Sequence, residues 1–126
     1  MRRVREAYEA LSREDIDPVL ELLHEDVEFR NPEYAMEPGT RHGHEGFRIA
    51  MEAAWEVIET LRYDIERIVD GGDVIVVVGR FGGRGRGGGV PLEQGHVLEI
   101  RDGKAVSVSW FQDPDEAFAA AGISPS

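Results

Sequence analysis

Hydrophobic residues in the first half of the chain recur at the three- and four-residue spacing of a helix. Val4 and Leu11 fall on one face of a predicted first helix. Asp17-Pro18 predicts the cap and the first position of a second, shorter helix. The longest amphipathic stretch runs from His44 to Leu61, and its apolar stripe is typical of a helix packed on a core.

A period of two replaces this spacing in one early segment and through the second half. Val27 and Phe29 alternate with charged residues, and Pro32 ends that strand because proline has no N–H to pair. The segment from Glu33 to Gly43 has no periodicity and is predicted to be a loop. Val74 to Val78 is apolar and β-branched throughout, which predicts a strand covered on both faces. Further strands are predicted from Tyr63 onward, from Leu92 to Ile100 and from Ala105 to Gln112.

The end of the chain predicts a short terminal helix. Asp113 has the position of its cap, Pro114 its first position, and Gly122 its end. Helices come first and antiparallel strands follow on short turns, so the fold class is α+β. We expect a cone-shaped, curved and mainly antiparallel (mixed) sheet wrapped around the long helix, with two short helices before it. The 126 residues predict one domain, with a core over about 2–123 and a tail over 124–126.

Composition narrows the classes of function. Aspartate and glutamate total 25 against 14 lysines and arginines, a formal net charge of -11. Such a surface repels phosphate backbones and anionic lipids, so neither nucleic acid nor a membrane is an expected partner. The chain has no cysteine, which excludes disulfides and thiolate chemistry. No signal segment is evident, and a cytoplasmic location is expected.

Two motifs that suggest a cofactor or a metal do not hold up. The glycine-rich stretch 82–89 contains a G-x-G-x-x-G match, but a strand follows it instead of the helix that a dinucleotide site needs. A kinked hairpin is the better interpretation. His42 and His44 flank a glycine, yet no third ligand stands at a convincing spacing for zinc. We predict no cofactor and no metal.

His96 is the residue with the clearest chemical potential. Alternation along its strand places Gln94, His96 and Leu98 on one face, so an inward Leu98 carries the other two inward. A neutral imidazole donates or accepts a proton near pH 7, which makes His96 the candidate catalytic residue. The alternative is a structural histidine satisfied by a backbone carbonyl.

Other polar and aromatic residues are predicted to line the same pocket. Trp110 and Gln112 share a face of the neighbouring strand, and Asn31 stands at the end of the first strand. Ordinary core packing is the alternative for the aromatic members. The predicted substrate-binding set is Tyr8, Phe29, Asn31, Trp55, Gln94, Trp110 and Gln112.

The whole pattern resembles a known family. The Val4-to-Leu11 helix, the Asp26-Val27-Glu28-Phe29 strand, the Gly43-His44-Glu45-Gly46-Phe47 helix start and the strand and turn from Gly95 to Lys104 resemble SnoaL-like proteins. These belong to the nuclear transport factor 2-like superfamily, with ketosteroid isomerases and polyketide cyclases. The resemblance covers about residues 2–123. It implies a cystatin-like cone, a deep pocket and, in many members, a homodimer packed through the sheet.

The known catalytic sets do not carry over. Where ketosteroid isomerases hold a general-base aspartate, this chain has Asn31, and where they keep an acidic oxyanion donor the register suggests His96. Tyr8 lies one position from their donor tyrosine. Trp110 falls where polyketide cyclases of the SnoaL type carry an aspartate.

Two hypotheses follow. In the first, the protein binds a small, mostly apolar polyketide- or steroid-like molecule, with His96 active in cofactor-free isomerisation, cyclisation or hydration. In the second, it is a non-catalytic ligand-binding or dimerisation module of the same fold. A homodimer is expected in either case.

Overall fold

The computed structural model describes residues 2–31, 39–57, 62–82, 84–85, 88–89 and 92–124. The predicted strand end at Pro32, the first part of the predicted loop (33–38), the end of the long helix over 58–61, and residues 83, 86 and 87 of the glycine-rich stretch lie outside the described residues. The architecture is α+β, as predicted: a curved six-stranded sheet with helices on both faces.

Four helices are described: α1 Arg2–Ser12, α2 Asp17–Leu22, α3 Gly43–Val57 and α4 Pro114–Ala121. The apolar stripe of α1 is buried along its length, as its spacing predicts. The predicted cap of α2 is wrong, because Asp17 lies inside the helix and the cap position is Ile16, which makes no side-chain cap. At α4 the prediction is confirmed: the Asp113 carboxylate accepts the Asp115 N–H, and Gly122 ends the helix with a positive φ.

The strands are β1 Leu23–Asn31, β2 Gly39–His42, β3 Arg62–Asp70, β4 Val74–Gly82, β5 Arg84–Gly85, β6 Gly88–Gly89, β7 Leu92–Arg101 and β8 Lys104–Phe111. The main sheet has the order β2-β1-β8-β7-β4-β3, with β1 and β8 parallel and its other neighbours antiparallel. Strands β5 and β6 form a separate small hairpin in the glycine-rich stretch. β2 corrects the predicted loop, since the backbone of its four residues pairs with β1 at the sheet edge.

The sheet has two buried faces with different partners. The concave face carries Ile75, Val77, Leu98 and Val108, which pack in one cluster with α1, α2 and α3. The convex face carries Val76, Val78 and Val97, which pack against Ala117 and Phe118 of α4. Successive residues of β4 therefore serve opposite faces, as its uninterrupted apolar run predicts.

Two glycines allow close approach of the backbone at one end of the sheet. A Cβ on Gly95 would lie 2.6 Å from the Ala117 Cβ, so α4 seats on β7 only because that atom is absent. A Cβ on Gly79 would lie 2.4 Å from the Asp64 carbonyl oxygen. Near that point β3 shifts register between Ile65 and Arg67, and such a bulge bends a strand.

Candidate functional site

His96 lies on the concave face and is buried, with 8% of its surface exposed. It pairs across the sheet with Val77 of β4 and Trp110 of β8. Its Nδ1 lies 2.7 Å from the Tyr8 hydroxyl, and its Nε2 lies 3.1 Å from Gln94 Oε1. Helix α1 and strand β7 thus place three predicted site residues in one hydrogen-bonded group, which we call the Tyr8–His96–Gln94 chain.

The partners of the imidazole fix its tautomer. A carbonyl oxygen only accepts hydrogen bonds, so the contact with Gln94 Oε1 places the proton of a neutral ring on Nε2. Nδ1 is then an acceptor, and the Tyr8 hydroxyl donates to it. The hydrogen bonds run in one direction, from Tyr8 through His96 to Gln94, which leaves the Gln94 amide group to act as a donor.

Burial keeps the chain uncharged at neutral pH. It lowers the pKa of His96 to about 3, because the charged imidazolium would be stripped of water. Burial also raises the pKa of Tyr8 well above its usual value, and the neighbouring Tyr63 adds to that shift. At pH 7 the neutral imidazole is therefore a poor proton acceptor, and Tyr8 keeps its hydroxyl proton.

Aromatic rings contact each other at two places on the concave face, one of them at the Tyr8–His96–Gln94 chain. The Tyr8 ring centroid lies 5.8 Å from that of Tyr63 and 5.7 Å from that of His96. Phe29 meets Phe47 edge to face at 5.3 Å. The set of site residues predicted from sequence lacks Tyr63 and Phe47, although both show the correct periodicity for the concave face. Their apolar spacing marks them as core and gives no sign that they adjoin a polar group.

A second polar contact lies across β8 from the first. The Trp110 indole N–H donates to Asn31 Oδ1 at 2.7 Å, which joins the ends of β8 and β1. Trp110 and His96 are opposite one another in the ladder, so both contacts lie on the concave face. Gln112 follows the end of β8 and is exposed, at the rim of this face. Its predicted contact with a ligand stays a prediction.

Trp55 packs from α3 against the concave-face cluster. Its indole Nε1 is buried and has no hydrogen-bond partner in the described part of the chain. The other buried polar atom without a partner among these residues is Ser107 Oγ. Ser107 pairs with Glu28 and Glu99 in the ladder, one residue out of phase with Val108, and so belongs to the convex face.

Acidic groups are not part of the concave face as far as it is described. Within residues 2–31, 39–57 and 62–124, apart from the gaps in the glycine-rich stretch, every aspartate and glutamate is exposed except the half-buried Glu28. Glu28 pairs with Ser107 and lies on the convex side. The described residues hold no group of three or more potential metal ligands. His44 instead contacts the Leu23 carbonyl oxygen at 2.9 Å from its Nε2.

An open cleft of about 530 Å³ lies at the opposite end of the sheet from Gln94. Its floor is apolar and includes Val4, Leu22 and Ile75, and its polar rim includes Arg2 and Asp70. None of the predicted site residues borders it. None of the described helices has the length and hydrophobicity that a bilayer crossing requires.

Comparison with known proteins agrees with the fold described above. The SnoaL-like domain family matches residues 4–108, and the chain belongs to that family. Its fold is that of NTF2-like proteins, which polyketide cyclases and ketosteroid isomerase-like proteins share. No curated protein matches the sequence.

Three solved structures illustrate the relationship. An NTF2-like protein of unknown function from Burkholderia pseudomallei is 31% identical, over 96% of this chain and 95% of the other, with a TM-score of 0.78. TerC, co-crystallised with polyporic acid, is 27% identical over 95% of both chains, also with a TM-score of 0.78. A candidate polyketide cyclase from Sinorhizobium meliloti is 19% identical over 88% of this chain and 94% of the other, with a TM-score of 0.74, and shows the fold alone.

Proposed function

We propose that this protein binds a small, largely apolar aromatic molecule of the polyketide or quinone type on the concave face. The observation that carries the proposal is the Tyr8–His96–Gln94 chain, a buried polar group set among aromatic rings. Burying polar groups costs free energy that their hydrogen bonds must offset, and ligand sites combine apolar walls with a few placed polar atoms.

The relative that was co-crystallised with polyporic acid supports this class of ligand. TerC is similar to this chain over nearly its full length. Polyporic acid is an aromatic hydroxyquinone, so its flat rings match an aromatic wall and its oxygens match hydrogen-bond donors. It is the natural first probe.

The chain offers a direct binding assay. It contains 2 tryptophans, Trp55 and Trp110, and both adjoin the concave face. We expect polyporic acid to quench their fluorescence in a saturable manner, after correction for absorption with N-acetyltryptophanamide as the control. In amide NMR spectra the shifts should concentrate at His96 and Trp110 and spare Val78 and Phe118. Linear quenching, or shifts centred on α4, would contradict the proposal.

A second candidate function is cofactor-free isomerisation or cyclisation of a carbonyl compound. The Tyr8–His96–Gln94 chain favours it, because neutral donors polarise a carbonyl group. The low pKa of His96 speaks against a general-base role, and the described concave face supplies no carboxylate in its place. The predicted catalytic role of His96 therefore stays a prediction, and we infer binding as the primary function.

The two candidates separate in a simple assay. Isomerisation of 3-cyclohexenone to its conjugated isomer can be followed by ultraviolet absorbance. We expect the wild-type protein and the His96→Leu variant to give the same rate as buffer. A wild-type rate well above buffer that is lost in His96→Leu would replace the binding function with a catalytic one.

A further inference from the structure

The hydrogen-bonding groups without a protein partner that the structure describes on the concave face are all donors. Gln94 accepts from His96 through Oε1, and its Nε2 amide group donates to no residue that the structure describes. The Trp55 indole N–H is buried and likewise lacks a partner in the described part of the chain. Both are donors. The buried indole N–H is costly without an acceptor, whereas Gln94 is half-buried and its amide is open to a ligand or to water.

The orientation of the Gln94 amide and the tautomer of His96 imply one another. With Gln94 Oε1 facing Nε2, the ring carries its proton on Nε2 and Tyr8 donates to Nδ1. With its oxygen held by the imidazole, the amide turns its N–H₂ group away from His96. An acceptor at that place would contradict the tautomer that the chain imposes.

We propose that Gln94 and Trp55 select ligands carrying a carbonyl oxygen, and that His96 and Tyr8 act as positioning residues for the Gln94 amide. This inference rests on the proposed binding function and specifies its ligand class, an aromatic ketone or quinone. Gln94 is the residue that contacts the ligand oxygen. His96 acts through it, because both ring nitrogens are already engaged by protein groups.

A matched pair of probes tests the selection. 9-Fluorenone and fluorene share one three-ring skeleton and differ by a carbonyl group in place of a methylene group. We expect the wild-type protein to bind 9-fluorenone about tenfold more tightly, the size of one well-formed net hydrogen bond. Equal affinities would overturn the inference and leave the proposed function standing. Failure of both probes to bind would count against the proposed function itself.

The Gln94→Glu variant isolates the donor. A carboxylate still accepts from His96 Nε2, so the support behind residue 94 remains, but the N–H₂ group is replaced by an oxygen. We expect the preference for 9-fluorenone to fall to about one, and Trp55→Phe to reduce it in part. Glu93→Gln, at an exposed neighbouring position, makes the reverse exchange and should keep the wild-type preference. An unchanged preference in Gln94→Glu would overturn the role of Gln94.

Nitrogen-15 NMR of the imidazole tests the positioning role independently of binding. We expect His96 in the free wild-type protein to carry its proton on Nε2. Tyr8→Phe should shift the ring toward a mixture of tautomers and lower the 9-fluorenone preference without abolishing fluorene binding. A proton on Nδ1 in the wild-type protein, or a Tyr8→Phe variant with wild-type tautomer and preference, would overturn the positioning role.

Discussion

The two faces of the sheet are formed by the same strands but are packed differently. On β4 the convex residue Val76 and the concave residue Val77 are both fully buried. On β7 the convex residue Val97 has apolar neighbours in α4, whereas the concave residue next to it, His96, holds a hydrogen-bonded polar chain. Packing against α4 is completed by the Arg67 guanidinium, 5.1 Å from the centre of the Phe118 ring.

Under the proposed binding function, this difference separates stability from ligand binding within one sheet. The apolar contact of β4 and β7 with α4 is the cheaper way to bury a face, because an imidazole must give up its water. The concave face carries that cost, together with an unpartnered indole donor. Local departures from the most stable arrangement are expected where a protein binds something. The comparison predicts that substitutions on the convex face change stability, while those on the concave face change ligand preference.

The largest loss of stability is expected from a substitution that disrupts the packing of the convex face. Phe118 is 2% exposed at the centre of the α4 contact. Phe118→Ala should lower the free energy of unfolding by about 3–5 kcal/mol, measured by urea denaturation. Ile49→Ala, at a residue that is 47% exposed, is the control and should change stability little. A Phe118→Ala protein that kept its stability would mean that α4 does not contribute to the core.

The next effect is a pH dependence on the concave side. Burial holds the pKa of His96 at about 3, below its ordinary value of 6.5, so between these values the unfolded chain binds a proton that the folded chain refuses. This contribution to stability is present above pH 6.5 and is lost as the pH falls toward 3, by up to about 1.4 kcal/mol per pH unit. Urea denaturation at several pH values gives the free energy of unfolding as a function of pH. The slope of that plot between pH 3 and pH 6.5 should be smaller in His96→Gln than in the wild-type protein.

The control for that slope is Ile49→Ala. Ile49 is 47% exposed and carries no titratable group. We expect Ile49→Ala to retain the wild-type slope. Identical slopes in His96→Gln and the wild-type protein would show that the imidazole of His96 is hydrated in the folded state.

A smaller effect is expected for the coupling energy between Tyr8 and His96 within the Tyr8–His96–Gln94 chain. Tyr8→Phe leaves His96 Nδ1 without its donor, and His96→Leu leaves the Tyr8 hydroxyl without its acceptor. A double-mutant cycle should give a coupling energy of about 1 kcal/mol in stability, since the double variant leaves neither group of the pair unsatisfied. Combining Tyr8→Phe with Ile49→Ala, at an exposed residue outside this group, supplies the comparison and should be close to additive. Strict additivity for Tyr8 and His96 would contradict their hydrogen bond.

The smallest effect is expected at the ion pairs on the open part of the convex face. Arg30 lies 3.5 Å from the carboxylate of Glu99, and both side chains are about half exposed. Exposed pairs of this kind contribute little to stability. Glu99→Gln should leave the urea midpoint within experimental error, in low salt and in high salt. A clear salt-dependent loss would indicate that this part of the sheet is less open than it is in the structure.

The sequence predicts faces better than it predicts partners. Alternation along β7 correctly groups Gln94, His96 and Leu98, because side chains of a strand alternate whatever packs on them. The contact between Tyr8 and His96 joins residues 88 positions apart, and no local pattern encodes that distance. The same holds for Trp110 and Asn31.

The element that sequence reasoning misses has a different cause. Strand β2 is short, mostly exposed and polar, so it has no hydrophobic period to detect. Its pairing with β1 depends on the backbone alone. The extra length of β1 before Val27 is missed for a related reason, since its register against β8 shifts between Leu23 and Glu28 and the bulge interrupts the alternation.

The close approach at Gly79 has a consequence for how this protein can diverge. Gly79 pairs directly with Gln94, and a single added methyl group would meet the backbone of β3. An alanine there would have to displace β3 from β4 beside Gln94. The spacing of β3 and β4 beside Gln94 therefore depends on a position that carries no side chain at all.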